Sequence, residues 1–310
     1  MNAEVRNLIA MMRAALPPDA PRMWQLSAAE ARQRGDAFFA ILNHGGPEMK
    51  ERRDLTLPGR RGPVPARLYV PRTAAATSPG LLYLHGGGFV IGSPDTHDRL
   101  TRELADRLGA RVLSLHYGLA PEDPYPAGLD DCVDAARWLG AHAASLGIDG
   151  GRLSIGGDSA GANLSAATVL RLRDEKASVA FRAALLIYGR FTHEDTPSMV
   201  AWGAQDLVLS RAVMDWFRDH YVGDRGTPDD PYLNPLAGDL RGFPPSVLVV
   251  GTLDPLLDDS RLFAAALEKA GVPAELHVYD DGLHAFLQFS MLEMCADALG
   301  KVCAFARARG

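Results

Sequence analysis

The sequence predicts an α/β fold: one mostly parallel sheet of eight strands, with helices on both faces and a helical cap. Three observations carry this expectation. Short β-rich runs alternate with runs of helical periodicity over most of the chain. Two antiparallel-looking strands precede that alternation, joined by the turn sequence Pro58-Gly59-Arg60-Arg61-Gly62-Pro63. A strand-like run, Arg152-Leu153-Ser154-Ile155, also leads through Gly157-Asp158-Ser159-Ala160-Gly161 into a helix-like run from Asn163 to Arg173.

Residues 1–16 read as an amphipathic helix, with Val5, Leu8, Ile9 and Met12 on one face and Pro17-Pro18 ending it. Ser27 with Glu30 three residues on has capping-box spacing. A second helix therefore runs to about Leu42 and stops at Asn43-His44-Gly45-Gly46. Both helices precede any strand, so they are expected to lie over the sheet rather than build it. Strands are expected over Arg52–Leu57, Val64–Val70, Leu81–Leu84, Arg111–His116, Leu153–Gly156, Ala183–Tyr188, Ser246–Val250 and Ala274–Tyr279. Helices fall over Thr96–Leu108, Leu129–Ala144, Asn163–Arg173, Ser260–Ala270 and about Leu287 to Ala306. Residues 191–223 break the rhythm with Pro197, several aromatics and a helix-like Arg211–Tyr221. They read as an insertion supplying the second part of the cap. The expected organisation is one domain, residues 1–310, capped by about 1–46 and about 191–223. No internal repeat, low-complexity tract or linker divides it.

A chain of 310 residues can bury one large α/β core. Its 47% hydrophobic and 23% charged residues are ordinary for a globular protein. The net charge of −6 and the scattered arginines argue against a nucleic-acid partner. No run approaches the ~18 apolar residues of a membrane span. The short apolar run Leu8 to Met12 follows Glu4 and does not resemble a signal peptide. The expectation is a cytoplasmic protein without stable membrane insertion. Cys132, Cys295 and Cys303 lack metal or redox spacing and read as buried small hydrophobes in a reducing compartment. No His/Cys/Glu cluster has ligand spacing, so neither a metal nor an organic cofactor is expected.

The strand–serine–helix arrangement at Ser159 is that of a nucleophile elbow. A serine on so sharp a turn is strained, and Gly157 and Gly161 leave the space around it free of Cβ atoms. The first amides of the following helix point at any negative charge forming beside the hydroxyl. Partners are sought just after other strands, because sites in open α/β sheets form at the carboxyl ends of strands. Asp254 follows Ser246–Val250, and His284 follows Ala274–Tyr279. Serine, acid, histidine in that order suits an acyl-transfer triad. Asp258, Asp259, Asp280 and Asp281 compete for the acid role. The first two read better as helix starters, and the last two lie too close to His284 in sequence. His116 and His277, placed within strands, and His142, within a helix, fit the base role less well. After the third strand comes His85-Gly86-Gly87-Gly88-Phe89, where consecutive glycines let backbone amides approach an oxyanion. A nucleotide-binding reading of these glycines is disfavoured, since no Lys-Ser/Thr follows and no G-x-G-x-x-G forms.

Taken together, His85–Phe89, Gly157–Gly161, Asp254-Pro255-Leu256 and His284-Ala285-Phe286 resemble the hormone-sensitive-lipase-like (bacterial family IV) esterases of the α/β-hydrolase superfamily. Thr96-His97-Asp98, Tyr117-Gly118-Leu119-Ala120-Pro121-Glu122 and Tyr232-Leu233-Asn234-Pro235-Leu236 add to the likeness. The resemblance implies the α/β-hydrolase fold and hydrolysis of a small ester without a cofactor. It also implies Ser159 as nucleophile, His284 as base, Asp254 as acid, and an oxyanion hole of Gly87, Gly88 and Ala160. Departures stand at Ala162, Gly118, Gly189 and Ala285, where the family usually has glycine, arginine, proline and glycine. Gly118 removes a side chain that could anchor Glu122. Gly189 is expected to open its loop near the pocket and shift substrate preference.

The substrate pocket is less legible. Phe89, Asp158, Tyr188, Gly189, Trp202 and Phe217 are expected to line it, with Trp24, Phe38, Phe39 and Trp216 as further apolar candidates. A covered apolar pocket suits short- to medium-chain acyl esters. Rival readings are an amidase or arylformamidase using the same triad, and a non-catalytic binder of the gibberellin-receptor kind, which lacks the catalytic histidine. A third is a structural or interaction protein with this fold. Homodimers occur among similar proteins, and the chain carries no interface signature that decides the point.

Overall fold

The computed structural model describes residues 1–310 apart from Leu16, Pro18, Asp206 and Gly310. Helices α1 (Ala3–Ala14) and α2 (Ala28–Leu42) come first. The Ser27 amide donates to Glu30 Oε2 at 2.9 Å and the Glu30 amide to Ser27 Oγ at 3.3 Å, the reciprocal bonds of a capping box. The helix-ending role expected of Pro18, and the helix tail expected at Leu16, lie outside the described residues. Strands β1 (Met49–Gly59) and β2 (Gly62–Pro71) pair antiparallel about a two-residue turn, Arg60-Arg61.

The alternation follows: β3 (Ser78–Leu84), α3 (Asp98–Leu108), β4 (Arg111–Leu115), α4 (Ala127–His142), β5 (Ile148–Asp158), α5 (Ala160–Asp174) and β6 (Ala183–Ile187). Then come α6 (Pro197–Gly203), α7 (Arg211–Tyr221), β7 (Ser246–Gly251), α8 (Leu257–Lys269), β8 (Ala274–Tyr279) and α9 (Glu293–Arg307). The strands form one sheet in the order β1-β2-β4-β3-β5-β6-β7-β8. Strand β2 is antiparallel to β1 and β4, and every other pairing is parallel. This is the mostly parallel eight-stranded α/β-hydrolase architecture.

Period-two alternation distributes the strand residues between two apolar cores. Leu82, Leu84, Leu113, Leu186 and Leu248 face α4, α5 and α8. Leu81, Tyr83, Val112, Leu185, Val247 and Val249 face α1, α3 and α9. Because the central strands are parallel, their carboxyl ends deliver residues 85–88, 159, 254 and 284 to one edge of the sheet.

Several boundaries differ from expectation. Helix α9 begins at Glu293, not near Leu287. A regular helix buries one stripe, whereas a 3₁₀ turn at Phe286–Gln288 and the turns after it bury Phe286, Leu287, Phe289 and Leu292 together. The Leu287 carbonyl is taken by Arg99 Nη2 at 2.8 Å and Cys295 Sγ at 3.3 Å. His116 lies one residue beyond β4 rather than inside it. Helix α8 starts at Leu257, not Ser260, so Asp258 and Asp259 occupy its first turn. Helix α6 was not expected; Pro197 sits at its first position, where a missing amide costs nothing, and Thr196 caps it.

The first helices and residues 191–223 meet the same edge of the sheet. Arg32 of α2 reaches the Val90 and Ala120 carbonyls, each at 2.8 Å. Met199, Leu209, Val213, Met214 and Leu256 form a small third core, with Met23 and Phe217 packed against it.

Candidate active site

Ser159 stands between β5 and α5 at φ 55°, ψ −118°, a conformation that side chains adopt only under constraint. The constraint is close packing onto the end of β3. A Cβ on Gly157 would stand 2.2 Å from the Leu84 carbonyl oxygen, and one on Gly161 would stand 1.9 Å from it. The two glycines therefore seat the turn against backbone, beyond leaving room around the hydroxyl. The Ser159 amide donates to the Ile187 carbonyl at 2.8 Å.

His284 Nε2 lies 3.0 Å from Ser159 Oγ, and His284 Nδ1 lies 2.8 Å from Asp254 Oδ2. Asp254 is fully buried, and its other oxygen accepts from the Leu256 amide at 2.8 Å. The loops carrying the two residues are locked together. The Leu253 amide donates to the Gly282 carbonyl at 3.0 Å, and a Cβ on Gly251 would stand 2.0 Å from that same oxygen. None of the competing acids reaches His284. Asp258 accepts from the Ser198 amide, Asp259 from the Phe191 and Thr192 amides, and Asp281 from the Asn2 amide; Asp280 is exposed.

Among the described residues, the Gly87 and Gly88 amides find no protein acceptor. Ala160 opens α5, where first-turn amides have no partner in the helix. The glycine loop is pinned from below by Asp158. Its Oδ1 accepts from Tyr83 Oη at 2.7 Å and the Gly86 amide at 3.0 Å, and its Oδ2 faces His97 Nε2 at 3.3 Å. Burial opposes ionisation of Asp158, but His97 and the Tyr83 hydroxyl outweigh it and hold the carboxyl below its usual range. His85 packs face to face on Tyr117, and burial pushes its pKa well below the ordinary value, so it is neutral.

Beside Ser159 lies a cavity lined by Gly88, Phe89, Ala160, Leu209, Met214, Phe217, Tyr221, Val222, Leu233 and Leu256. Asn163, Arg190, His193 and Arg218 give it a polar flank. Of the expected pocket residues, Phe89 and Phe217 line it. Phe89 stacks on Tyr221 at 3.9 Å, and Phe217 lies directly over Gly88. The other four do not line it. Asp158 is committed to the network beneath the glycines. Tyr188 is buried, with its ring edge-on to His284 at 5.1 Å, and acts as packing behind the imidazole. Trp202 is partly buried against the core that contains the α9 residues. Gly189 does not open its loop: a Cβ there would stand 2.4 Å from the Phe191 ring and 2.8 Å from Ala162. Trp24 is partly exposed, Phe39 lies beside His97, and Trp216 packs on His220.

The sequence reading missed Arg190, His193 and most of the α7 face. The spacing of Met214, Phe217, Arg218 and Tyr221 is that of one helical face and could have indicated it. Among the described residues, no group of three or more His, Cys, Asp or Glu is arranged to hold a metal ion, and no helix is long and apolar enough to cross a membrane.

Comparison with known proteins bears on the fold and the family. The family model described as "alpha/beta hydrolase fold" matches residues 81–288. The chain is 38% identical over 246 residues to the carboxylic ester hydrolase LipN of Mycobacterium tuberculosis, an alignment covering 77% of this chain and 65% of that protein. It is 35% identical to an acetyl esterase of Salmonella agona, over 100% of this chain and 95% of the other. A hyperthermophilic esterase from the archaeon Pyrobaculum calidifontis superposes with a TM-score of 0.92 at 33% identity, over 99% of this chain and 98% of that one.

Proposed function

This chain belongs to the α/β-hydrolase fold family, in its hormone-sensitive-lipase-like branch, and we propose that it is a serine carboxylic ester hydrolase with Ser159 as nucleophile, acting on short- to medium-chain acyl esters. One observation carries the reading: the continuous contact from Ser159 Oγ through His284 to Asp254 Oδ2, at 3.0 and 2.8 Å. Ser159 attacks the ester carbonyl as His284 Nε2 takes its proton. Asp254 fixes the imidazole tautomer and stabilises the imidazolium that forms. The oxyanion is received by the amides of Gly87, Gly88 and Ala160, preorganised donors that need no rearrangement. His284 passes its proton to the leaving alcohol. Water then attacks the acyl-enzyme with His284 again as base.

The leaving alcohol must lie on the His284 side to receive that proton. The cavity is lined by Ser159 and Ala160 but not by His284, so it takes the acyl chain. Phe217, packed close over Gly88, narrows it beside the oxyanion site, which suits short chains. The Salmonella relative's name, acetyl esterase, agrees with this preference. Residues of about 1–46 and about 191–223 act as a two-part cap, joined where Met23 meets the core of Met199, Leu209, Val213 and Met214. Three buried free cysteines suit a reducing compartment such as the cytoplasm.

The test is Ser159→Ala. Hydrolysis of p-nitrophenyl acetate and butyrate should fall by about 10⁴-fold or more with the circular dichroism spectrum unchanged. A serine-directed phosphonate should label the unmodified protein at Ser159 and leave the variant unlabelled. Retained activity in the purified variant overturns the reading.

A further inference from the structure

Met214, Phe217 and Tyr221 of α7 give the acyl cavity an apolar wall, but Arg218 of the same helix and Arg190 also line it, and the reaction above uses neither guanidinium. Arg190 lies three residues beyond β6 and lines the cavity. Its Nε donates to the Thr192 carbonyl at 3.2 Å, and its own carbonyl accepts from Asn163 Nδ2 at 2.8 Å. Among the described residues it makes no ion pair. Asp259 and Asp215 act on it only at longer range, and Asp259 is already committed to the Phe191 and Thr192 amides. Arg218 is paired instead with Asp219 at 3.3 Å. Burial, and then the neighbouring Arg190 charge, push His193 down to about 4, so it adds no positive charge near neutral pH.

A partly buried cation without a counter-ion is unfavourable, and it is compensated most strongly by an anion placed in its fork. A purely aliphatic acyl pocket has no use for such a group. We propose that the cavity selects esters whose acyl chain ends in a carboxylate, with Arg190 as the residue that receives it. This rests on Ser159 being the nucleophile and on the acyl chain entering this cavity. Burial depresses the Arg190 guanidinium below its ordinary value, in keeping with a desolvated cation that an anion would relieve, and it remains charged.

The experiment pairs monoethyl glutarate with the ethyl ester in which the terminal carboxylate is replaced by an isopropyl group, both followed by pH-stat titration. For the unmodified protein, kcat/KM on the anionic ester should exceed that on its neutral isostere. In Arg190→Gln that ratio should fall at least about tenfold, the scale of one charge-assisted bond pair. Arg190→Lys should keep part of it. A ratio equal in the unmodified and Gln proteins overturns the proposal. A second measurement needs no variant: free glutarate should compete against p-nitrophenyl butyrate at lower concentration than pentanoate does. Equal or weaker competition by glutarate also overturns it. Hydrolysis of p-nitrophenyl butyrate in the same assays reports on the esterase reading separately, so its absence would count against that reading and not against the role of Arg190.

Discussion

The ring of Phe217 lies over Gly88 so closely that a Cβ on that glycine would stand 2.2 Å from the ring carbons. One residue comes from helix α7 of the insertion and the other from the loop after β3. Both residues line the cavity beside Ser159, and on the proposed reading their contact limits the acyl chain. Phe217→Ala should lengthen the cavity. The kcat/KM for a p-nitrophenyl octanoate ester, relative to acetate, should rise at least about tenfold, since each accommodated methylene adds discrimination. A chain-length series on both proteins checks this; an unchanged profile would show that the ring does not bound the acyl site.

Arg32 ties α2 to the loops around Gly87 and Gly88. It bonds the Val90 and Ala120 carbonyls and meets Glu122 with two nitrogens, at 2.9 and 2.5 Å. Glu122 is 61% exposed, so the ion pair itself contributes little. Arg32→Ala should lower stability by about 1–2 kcal/mol, mostly through the two carbonyls left without their charged donor. Glu122→Ala should cost less than about 0.5 kcal/mol. Urea denaturation of both variants separates the contributions, and equal losses would assign the stability to the ion pair.

Asp259 is buried beneath the loop after β6, and that burial raises its carboxyl from 3.8 to about 7. The folded state therefore holds a proton that the unfolded chain has already released. The stabilising effect is full below about pH 4 and declines as pH rises, until the folded group itself ionises near 7. Asp259→Asn keeps an acceptor for the Phe191 and Thr192 amides and cannot ionise. The stability advantage of the variant should grow from pH 4 to 7 and then level off, on the order of a few kcal/mol. Melting temperatures of both proteins across that range measure it; a constant difference would mean that Asp259 does not carry the titration.

The residues that meet at the candidate active site were legible because each follows a strand of a parallel sheet. Ser159, Asp254 and His284 lie at the carboxyl ends of β5, β7 and β8, and once the alternation is read, topology brings those ends to one edge. The first two helices were legible from their periodicity and the Ser27–Glu30 spacing, whereas residues 191–223 showed only as a break in the pattern. Gly118 made Glu122 look unanchored, yet Arg32 reaches it from a helix far upstream in sequence. Gly189 suggested an open loop, and the ring of Phe191 fills the space. Of the aromatic residues expected to make the pocket, Phe89 and Phe217 line the cavity, Tyr188 is in the core and Trp202 packs against it, while Arg190 and Met214 of α7 complete the lining.

The sequence by itself determined the strand order of the chemistry, the glycines at Gly157, Gly161, Gly87 and Gly88, and the choice of Asp254 over the acids nearer His284. These are local requirements: a strained turn, a close backbone approach and a position after a strand must be written into the residues that meet them. Only the tertiary structure decided which side chains line the cavity beside Ser159, Arg190 among them. That outcome depends on how α2 and α7 dock across the sheet edge, and such docking follows from shape and packing between segments distant in sequence.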